Sequence, residues 1–437
     1  MPGLYKAARI DDIGGGSYSP SELIISRNGE LGVNGSLWAV TITPMNTPNS
    51  AIIPTVYLKI ERRSTHPWIF QKMVEKPEQK PKPGSIVDIV DATGTWCARG
   101  FYNGHSRIAL RVLTEDPDEA IDEDFFRRKI RQAVELRRDV LKIDEVSNAW
   151  RVVHSEGDGL SGLVVDRYDD LLVVEFFSAG AFRYREWIYT ALREEFPGCR
   201  FYSFAEDHVQ KQESFDFRSP DAPQPAVITE FGVKFRASPG TGHKTGFFAD
   251  QRENREYLAR FTKDKTVLDI CCNSGGFAIY AKTRGEAAEV TGIDLDEEIL
   301  EVAKKNAHLN KAQIKFTQAD LFPFLRDSAA RGDEYDVVIL DPAKMTRDRE
   351  QIIPALKKYN DMNKLAMSVV KPGGILLTCS CTGLVSEEQF VDMIRRAAFF
   401  AGRTVQILKV SGAGGDHPFM AHVQESRYLK AVFCRVF

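Results

Sequence analysis

Two absences narrow the class of this chain of 437 residues before any motif is considered. No apolar run approaches the roughly 18 residues that a membrane-spanning helix needs, so an integral membrane protein is not expected. The N-terminal residues lack a basic flank followed by an apolar stretch, which argues against a secretory signal. Together these absences predict a cytoplasmic protein that does not associate with membranes.

Cysteine is also scarce, with seven residues and no regular spacing among them. A disulfide scaffold is therefore not expected, and free thiols in a reducing compartment are. A strong excess of positive charge is missing as well, because the formal net charge of the chain is −3. Contact with nucleic acid would have to be made by one local region.

One region has the required local charge. Between Thr55 and Leu113 the sequence has ten basic and five acidic residues, a local net charge of +5. Positive charge confined to one module is what contact with a phosphate backbone requires. The residues of this region that we predict to contact phosphate are Lys59, Arg62, Arg63, Lys80 and Lys82.

The apolar pattern changes along the chain and predicts five segments. Residues 1–51 are turn-rich and form an extension of unassigned role, in which "GELGVNGSLWAVTITP" indicates a hairpin. Residues 52–115 alternate apolar and polar side chains and predict a small barrel of five or six strands. Residues 116–150 predict a helical linker, 151–235 a small domain with strands and a helix near 182–195, and 236–437 alternating strands and helices.

The alternation in the last segment predicts a parallel sheet covered by helices on both faces. Its final strands, "TVQILKV" and "RYLKAVFCRVF", leave no room for a long helix between them, so an antiparallel pair at the sheet edge is expected. Ligands of such sheets bind beyond the carboxyl ends of the strands. The G-x-G-x-x-G fingerprint is absent there, which disfavours a nicotinamide dehydrogenase.

Acidic residues occur at the ends of four successive predicted strands, namely Asp269, Asp294, Asp320 and Asp341. A carboxylate accepts two hydrogen bonds at once, so Asp294 suits the two hydroxyls of a ribose, and Asp320 could meet an adenine edge. Helix capping would explain one such acid, but four in register favour a nucleotide-like ligand. The turn after Asp269 includes a glycine that would let the backbone approach this ligand closely.

Four stretches, "GHKTGFFADQRENR", "LDICCNSGGFAIYA", "DPAK" and "LLTCSCTGL", resemble motifs of the bacterial large-subunit (23S) rRNA cytosine-5 methyltransferases. The resemblance covers roughly 52–437. It implies an N-terminal PUA-like RNA-binding β-barrel, a small central α+β domain and a C-terminal α/β domain with a class I Rossmann-like methyltransferase sheet.

The same resemblance implies S-adenosyl-L-methionine as the cofactor and large-subunit ribosomal RNA as the partner. The residues that it assigns to the cofactor pocket are Phe247, Arg252, Asp269, Asn273, Gly275, Asp294, Asp320 and Asp341. Two positions depart from the family pattern, because His243 stands where glutamine is usual and Ala343 where a second proline is usual.

Two cysteines, Cys379 and Cys381, lie one residue apart in "TCSCTG". Carbon 5 of a pyrimidine is a poor nucleophile, and a thiolate that adds to carbon 6 enables it to attack a methyl donor. The resemblance assigns this nucleophile to Cys381, while Cys379 is expected to pack as a small apolar residue. Asp341 would contact the cytosine edge, and Lys344 would attract RNA phosphate or the thiolate.

Other interpretations stay open at this point. Cys379, Cys381, His417 and His422 could in principle ligate a metal, but their spacing matches no common zinc motif, and we predict no metal. The same fold could methylate a guanine ring nitrogen without a nucleophile, or the chain could be a non-catalytic RNA-binding assembly factor. The oligomeric state is not determined by the sequence, and a homodimer is one of the alternatives.

Overall fold

The computed structural model describes residues 53–240 and 246–437, together with three short strands closer to the N-terminus. These strands are β1 (Ile24–Ile25), β2 (Leu31–Val33) and β3 (Ser36–Trp38). They form an antiparallel sheet in which β2 and β3 make the predicted hairpin. The chain divides into the units Met1–Ile52 and Ile53–Phe437. His243 lies outside the described residues.

The second unit begins with a five-stranded sheet. Its strands are β4 (Thr55–Tyr57), β5 (Trp68–Phe70), β6 (Ser85–Val90), β7 (Trp96–Tyr102) and β8 (Ile108–Thr114), in the order β4-β6-β7-β8-β5. An antiparallel bridge between Leu58, which follows β4, and Val74, in the segment after β5, joins the two edges of the sheet, so the sheet closes on itself. The predicted barrel is therefore confirmed, with five strands.

Helix α1 (Glu123–Glu135) follows the barrel and begins at Asp122, whose side chain accepts a hydrogen bond from the Phe125 amide. Such N-cap bonds satisfy an amide that has no partner within the helix. The buried face of α1 packs in one apolar cluster with Trp150 and Leu172 of the middle domain. The segment predicted as a linker is therefore part of the middle domain's core.

The middle domain is a four-stranded sheet with helices, as predicted. Its elements are β9 (Ala149–His154), β10 (Leu163–Tyr168), β11 (Leu171–Phe176), α2 (Ala179–Arg183), α3 (Arg185–Glu195), β12 (Arg200–Phe204) and α4 (Asp207–Glu213), with strand order β12-β11-β10-β9. A separate hairpin, β13 (Ala226–Glu230) and β14 (Val233–Ala237), follows it.

A seven-stranded sheet forms the C-terminal domain. Its strands are β15 (Thr266–Ile270), β16 (Glu289–Asp294), β17 (Lys315–Gln318), β18 (Tyr335–Leu340), β19 (Val370–Ser380), β20 (Val405–Ser411) and β21 (Lys430–Val436). The order is β17-β16-β15-β18-β19-β21-β20, with the first five strands parallel. Strand β21 lies antiparallel between β19 and β20, which confirms the predicted edge pair.

Successive side chains of a strand point to opposite faces of the sheet, and in these strands both sets are apolar. Helices therefore cover both faces. The helices are α5 (Arg252–Ala259), α6 (Gly276–Thr283), α7 (Glu297–Leu309), α8 (Leu321–Arg331), α9 (Ile352–Ser368) and α10 (Glu387–Ala401). Leu268 and Val338 pack in the cluster with α9 and α10, whereas Val267 and Val337 pack with α5 and α6.

The order of the strands reverses between β15 and β18, where the chain leaves one half of the sheet for the other. Such a reversal opens a crevice at the carboxyl ends of the strands, which is where the predicted acids lie. Among the described residues, no helix has the length and apolar character needed to traverse a lipid bilayer.

Candidate active site

The turn between β15 and α6 has an unusual backbone conformation. Cys271, Asn273 and Gly275 have φ angles of 61°, 47° and 83°, in the left-handed region that most residues avoid. A Cβ atom on Gly275 would lie only 3.2 Å from Ile279 and 3.3 Å from Ala303. Backbone strain of this kind concentrates at ligand-binding sites. The predicted residues Asn273 and Gly275 therefore both lie in a turn whose conformation must be held by its surroundings.

Asp269 lies within β15 and is 1% exposed. Its Oδ2 accepts a hydrogen bond from the Ala278 amide at 2.9 Å, whereas Oδ1 has no hydrogen-bond partner among the described residues. Burial, reinforced by the charges of Asp341 and Asp294, raises the pKa of Asp269 well above its ordinary value. A buried acceptor without a donor is a group that a bound ligand would satisfy.

Asp294 is the last residue of β16 and holds the turn after β15 in place. One carboxylate oxygen accepts a hydrogen bond from the Asn273 amide at 2.9 Å, and the other accepts one from the Asp296 amide at 3.1 Å. Each oxygen retains a second lone pair, since a carboxylate has about four acceptor positions. The half-buried Asp294 can therefore support the turn and accept hydrogen bonds from a ligand together.

Asp320 has a different role from that of the other acids. It is exposed and is the N-cap of α8, where its side chain accepts a hydrogen bond from the Phe322 amide at 2.7 Å. Helix capping is thus the role that the structure shows for this residue, although its charge still reaches the crevice.

The thiol of Cys271 shows that all four acids converge. Burial raises the pKa of Cys271 to about 12, and the next causes are the charges of Asp294, Asp341, Asp269 and Asp320. The thiol follows β15 directly and is half-buried. The predicted register of four acids at one end of the sheet therefore produces a single negatively charged crevice.

Asp341 follows β18 and is oriented by a residue from another element. The side-chain amide of Gln251 donates to Asp341 at 3.0 Å and accepts from the Asn254 amide group at 2.7 Å. Gln251 is 3% exposed and Asn254 is 2% exposed. A buried chain of hydrogen bonds of this kind restricts the orientation of the carboxylate that it ends on.

Cys381 follows the last residue of β19 and lies between two fully buried neighbours. The Ser380 hydroxyl lies 3.0 Å from the Tyr359 hydroxyl, which lies 2.9 Å from the Thr382 hydroxyl. These bonds fix the backbone on each side of Cys381, which itself is partly exposed. Cys379 is fully buried, and burial raises its pKa well above the ordinary value. The two cysteines of this stretch are therefore not equivalent.

Two predicted residues of the segment before β15 are buried. Arg252 is 1% exposed, and its guanidinium contacts both carboxylate oxygens of Asp416 at 3.1 and 3.2 Å. The role of Arg252 toward the cofactor stays a prediction, while the structure shows its guanidinium in this buried ion pair. Phe247 is also buried, and its ring packs against Phe235 of β14 at 5.2 Å between centroids.

Comparison with known proteins agrees with this architecture. A family model described as a PUA-like domain matches residues 61–115, and one described as a methyltransferase domain matches residues 261–425. The chain is 40% identical over 394 residues to the ribosomal RNA large subunit methyltransferase I of Tolumonas auensis, covering 87% of this chain and 99% of that protein. The protein of the same name from Aeromonas hydrophila is also 40% identical, over 85% of this chain. The chain belongs to the ribosomal RNA large subunit methyltransferase I family.

A solved structure has the same fold as this family member. SMU.776, a protein assigned as a methyltransferase and solved with bound SAH, aligns with a TM-score of 0.74 and 18% identity. The alignment covers 88% of this chain and all of that one. The order of barrel, middle domain and methyltransferase sheet is therefore found in a structure with little sequence similarity.

The predicted phosphate-contacting residues of the PUA-like domain differ in accessibility. Lys59, Arg63, Lys80 and Lys82 are exposed, as is Lys344 in the methyltransferase domain. Arg62 differs from these: its side chain is 8% exposed, pairs with Glu115 at 2.6 Å and donates to the Cys97 carbonyl at 3.0 Å. Contact between Arg62 and RNA stays a prediction, and the structure shows the charge of this residue paired within the barrel.

Part of the domain's positive charge is likewise directed inward. Arg111 pairs with Glu213 at 3.2 Å and with Glu156 at 3.6 Å, and neither acid lies in the segment for which the charge was counted. The net charge of +5 counted along this family member's sequence therefore overstates the charge that a nucleic acid would meet.

The alternative of a metal site has no geometric support. The part of the chain that the structure describes contains no group of three or more His, Cys, Asp and Glu side chains arranged to hold a metal ion. His417 instead lies 2.9 Å from Asp416 and packs against His154. These residues belong to a buried network at the junction with the middle domain.

Sequence reasoning missed several residues that shape this site. Gln251 lies in the stretch "FFADQRENR", from which the resemblance implies only Phe247 and Arg252 as pocket residues. Tyr359 on α9 and Lys430 at the start of β21 had no local signal, since both reach the region of Cys381 only through the tertiary structure.

Proposed function

We propose that the protein is an S-adenosyl-L-methionine-dependent methyltransferase that forms 5-methylcytosine in large-subunit ribosomal RNA in the cytoplasm. The observation that carries the proposal is the partly exposed Cys381, which directly follows β19. The neighbouring strand in the sheet is β18, which Asp341 directly follows. Both neighbours of this thiol are fully buried and hydrogen-bonded, so its position is well defined.

The crevice suits the cofactor. Asp294 has lone pairs for ribose hydroxyls, the Asp269 oxygen without a hydrogen-bond partner can pair with a polar group of the ligand, and the turn at Gly275 brings the backbone close to the space between them. When bound, S-adenosyl-L-methionine supplies an electrophilic methyl group next to a negatively charged wall. The acids would hold the cofactor from one side and leave the side of β18 and β19 for the base.

The thiol explains how the carbon 5 position can be methylated. The Cys381 thiolate would add to carbon 6 of cytosine, and the electron pair moved to carbon 5 makes that atom nucleophilic. Asp341, held by Gln251, would contact the cytosine edge and stabilise the charge that develops on the ring. After methylation, loss of the carbon 5 proton to a base restores the double bond and releases the thiolate.

The substrate class is supported by the relatives and by the barrel. Both named relatives are large-subunit ribosomal RNA methyltransferases, and the PUA-like domain presents exposed lysines outside the crevice. Phosphate contacts of this kind position a nucleic acid without reading its bases.

The test is to incubate the protein with labelled cofactor and large-subunit rRNA that lacks its modifications, and then to identify the product nucleoside by mass spectrometry. We expect 5-methylcytidine. A methylated guanosine would replace the cytosine proposal with methylation of a ring nitrogen, and the absence of any labelled nucleoside would favour the RNA-binding assembly factor.

A second measurement tests the covalent step by itself. RNA that contains 5-fluorocytosine cannot lose the substituent at carbon 5, so it should form a denaturant-resistant adduct with the protein. Peptide mapping should place this adduct on Cys381, and the Cys379→Ala variant should form it equally well. An adduct on another residue would contradict the assignment.

A further inference from the structure

Lys430 is a buried lysine beside the turn that carries Cys381. It is the first residue of β21, is 2% exposed, and lies opposite Ser380 in the antiparallel pairing of β19 with β21. Its ammonium donates to the Thr382 carbonyl at 2.7 Å and to the Tyr428 carbonyl at 2.9 Å. One of these carbonyls belongs to the residue that follows Cys381.

A buried ammonium normally has an anionic partner, because burial of an unpaired charge is costly. Among the described residues, no carboxylate forms a salt bridge with Lys430, and the two acceptors of its ammonium are neutral backbone carbonyls. An ammonium has three N–H groups, so one remains for another acceptor.

The bond to the Thr382 carbonyl and the pairing opposite Ser380 connect Lys430 to the residues on both sides of Cys381 along the turn, and the charged groups around the ammonium include this cysteine. Cys381, Lys344, Arg427 and Glu387 act on its ammonium, and Cys381 is the foremost of them. Glu387 is already ion-paired with Arg427. Burial lowers the pKa of Lys430 to about 8, while the thiolate of Cys381 opposes this effect. The lysine therefore remains mostly charged at neutral pH.

We infer that Lys430 is a positioning residue that holds Cys381 in its thiolate form, ready to attack the base. The inference rests on the proposed function, in which Cys381 is the nucleophile. A thiolate beside a cation forms at lower pH than a free thiol, and only the thiolate is nucleophilic.

A purely structural role is the competing explanation, because the ammonium also joins the turn after β19 to the start of β21. The chain contains a matched control for that role. The Lys282 ammonium likewise donates to two backbone carbonyls, those of Ala287 and Ala288, at 2.9 and 2.8 Å. Lys282 is on α6 and is not among the groups that act on Lys430.

The experiment measures the rate at which iodoacetamide alkylates Cys381 at a series of pH values, with peptide mass spectrometry to isolate this cysteine. Lys430→Met should move the midpoint upward by about one pH unit, which makes alkylation about tenfold slower at neutral pH. Lys430→Arg keeps the charge and should restore most of the rate, whereas Lys282→Met should leave the midpoint unchanged. An unchanged midpoint in folded Lys430→Met would overturn the inference.

The wild-type protein gives a test that needs no variant. The alkylation midpoint of Cys381 should be lower in the native protein than in the protein unfolded in denaturant. Equal midpoints, or a higher one in the native state, would overturn the inference even if Lys430→Met failed to fold.

Alkylation requires neither RNA nor cofactor, so its result is independent of the proposed function. If Cys381→Ala retained full methyl transfer, the proposed function would fail while the alkylation result stood. Under the proposed function, Lys430→Met should lower kcat about tenfold at neutral pH with little change in KM, and this loss should diminish as the pH rises.

Discussion

Two cysteines follow parallel strands of the same sheet, Cys271 after β15 and Cys381 after β19, and both are partly exposed. Their surroundings differ in charge. Four carboxylates act on Cys271 and help to raise its pKa to about 12, whereas the region of Cys381 contains Lys430 and the exposed Lys344 as well as Asp341. The comparison teaches that a position at the end of a strand does not make a thiol reactive, because the charges that other elements bring to it decide its ionisation.

The largest expected effect comes from replacing each cysteine with alanine, which removes its thiol. Cys381→Ala should reduce methyl transfer by on the order of 10³-fold or more, because the covalent step is lost. Cofactor affinity, measured by calorimetry, should stay the same. Cys271→Ala should reduce methyl transfer less than tenfold, since this thiol is only part of the pocket wall. Equal losses in the two variants would remove the distinction between them.

The acidic side of the comparison is tested at Asp294. Asp294→Ala should weaken cofactor binding by about 1.5–3 kcal/mol, because it removes a charged acceptor that also holds the Asn273 amide. Asp296→Ala is the matched control: it removes the N-cap of α7 and should cost about 1 kcal/mol of stability without changing cofactor affinity. Equal affinity losses would show that the effect arises from the loosened turn and helix.

Asp269 should show a pH dependence. Its pKa is raised in the folded protein, so the folded state retains a proton that the unfolded chain releases near pH 4. Stability from this group is present below the unfolded pKa and is lost as the pH rises through the folded pKa. Asp269→Asn should therefore gain about 1–3 kcal/mol at alkaline pH and almost nothing at pH 3, as measured by urea unfolding without cofactor.

The same variant separates stability from binding. If the unpaired oxygen of Asp269 faces the cofactor, Asp269→Asn should bind it more weakly although the protein is more stable. Stabilisation together with unchanged cofactor affinity would show that the carboxyl group does not contact the ligand.

The smallest effect is expected outside the crevice, in the lysine-rich loop of the PUA-like domain. Replacing Lys80 and Lys82 with alanine should lower RNA affinity severalfold and reduce the salt dependence of binding by about two phosphate contacts. The alkylation midpoint of Cys381 should not change. Lys263→Ala, which removes an exposed lysine paired with Glu286, is the control for a general loss of charge. An unchanged salt dependence in the double variant would exclude this loop from the RNA contact.

Most of the fold could be predicted because its signals are local. Alternating apolar residues marked the barrel strands, and the alternation of strands and helices marked the parallel sheet. The short connection before β21 required an antiparallel pair. The helix α1 was also correctly predicted, but its membership of the middle domain depended on contacts with Trp150 and Leu172 that no local pattern reveals.

The partners of charged residues could not be predicted from the sequence. Arg62 and Arg252 are basic residues in segments with a predicted ligand role, and both form ion pairs with residues distant in sequence. Asp320 lies just after a strand, as predicted, but the hydrogen bond that its carboxylate accepts comes from an amide in the first turn of the next helix. A charge in a sequence does not reveal its partner, because the partner is set by packing.

The amino-acid sequence determined the elements, their order and the strand ends at which acids and cysteines lie, since apolar periodicity and turn residues act over short distances. The tertiary structure alone decided which side chains remain accessible and which charges meet. It buried Cys379 and left Cys381 partly exposed, and it brought Lys430 from β21 beside the turn after β19. Coulombic interactions depend on distance in space, and for these residues only the folded sheet determines that distance.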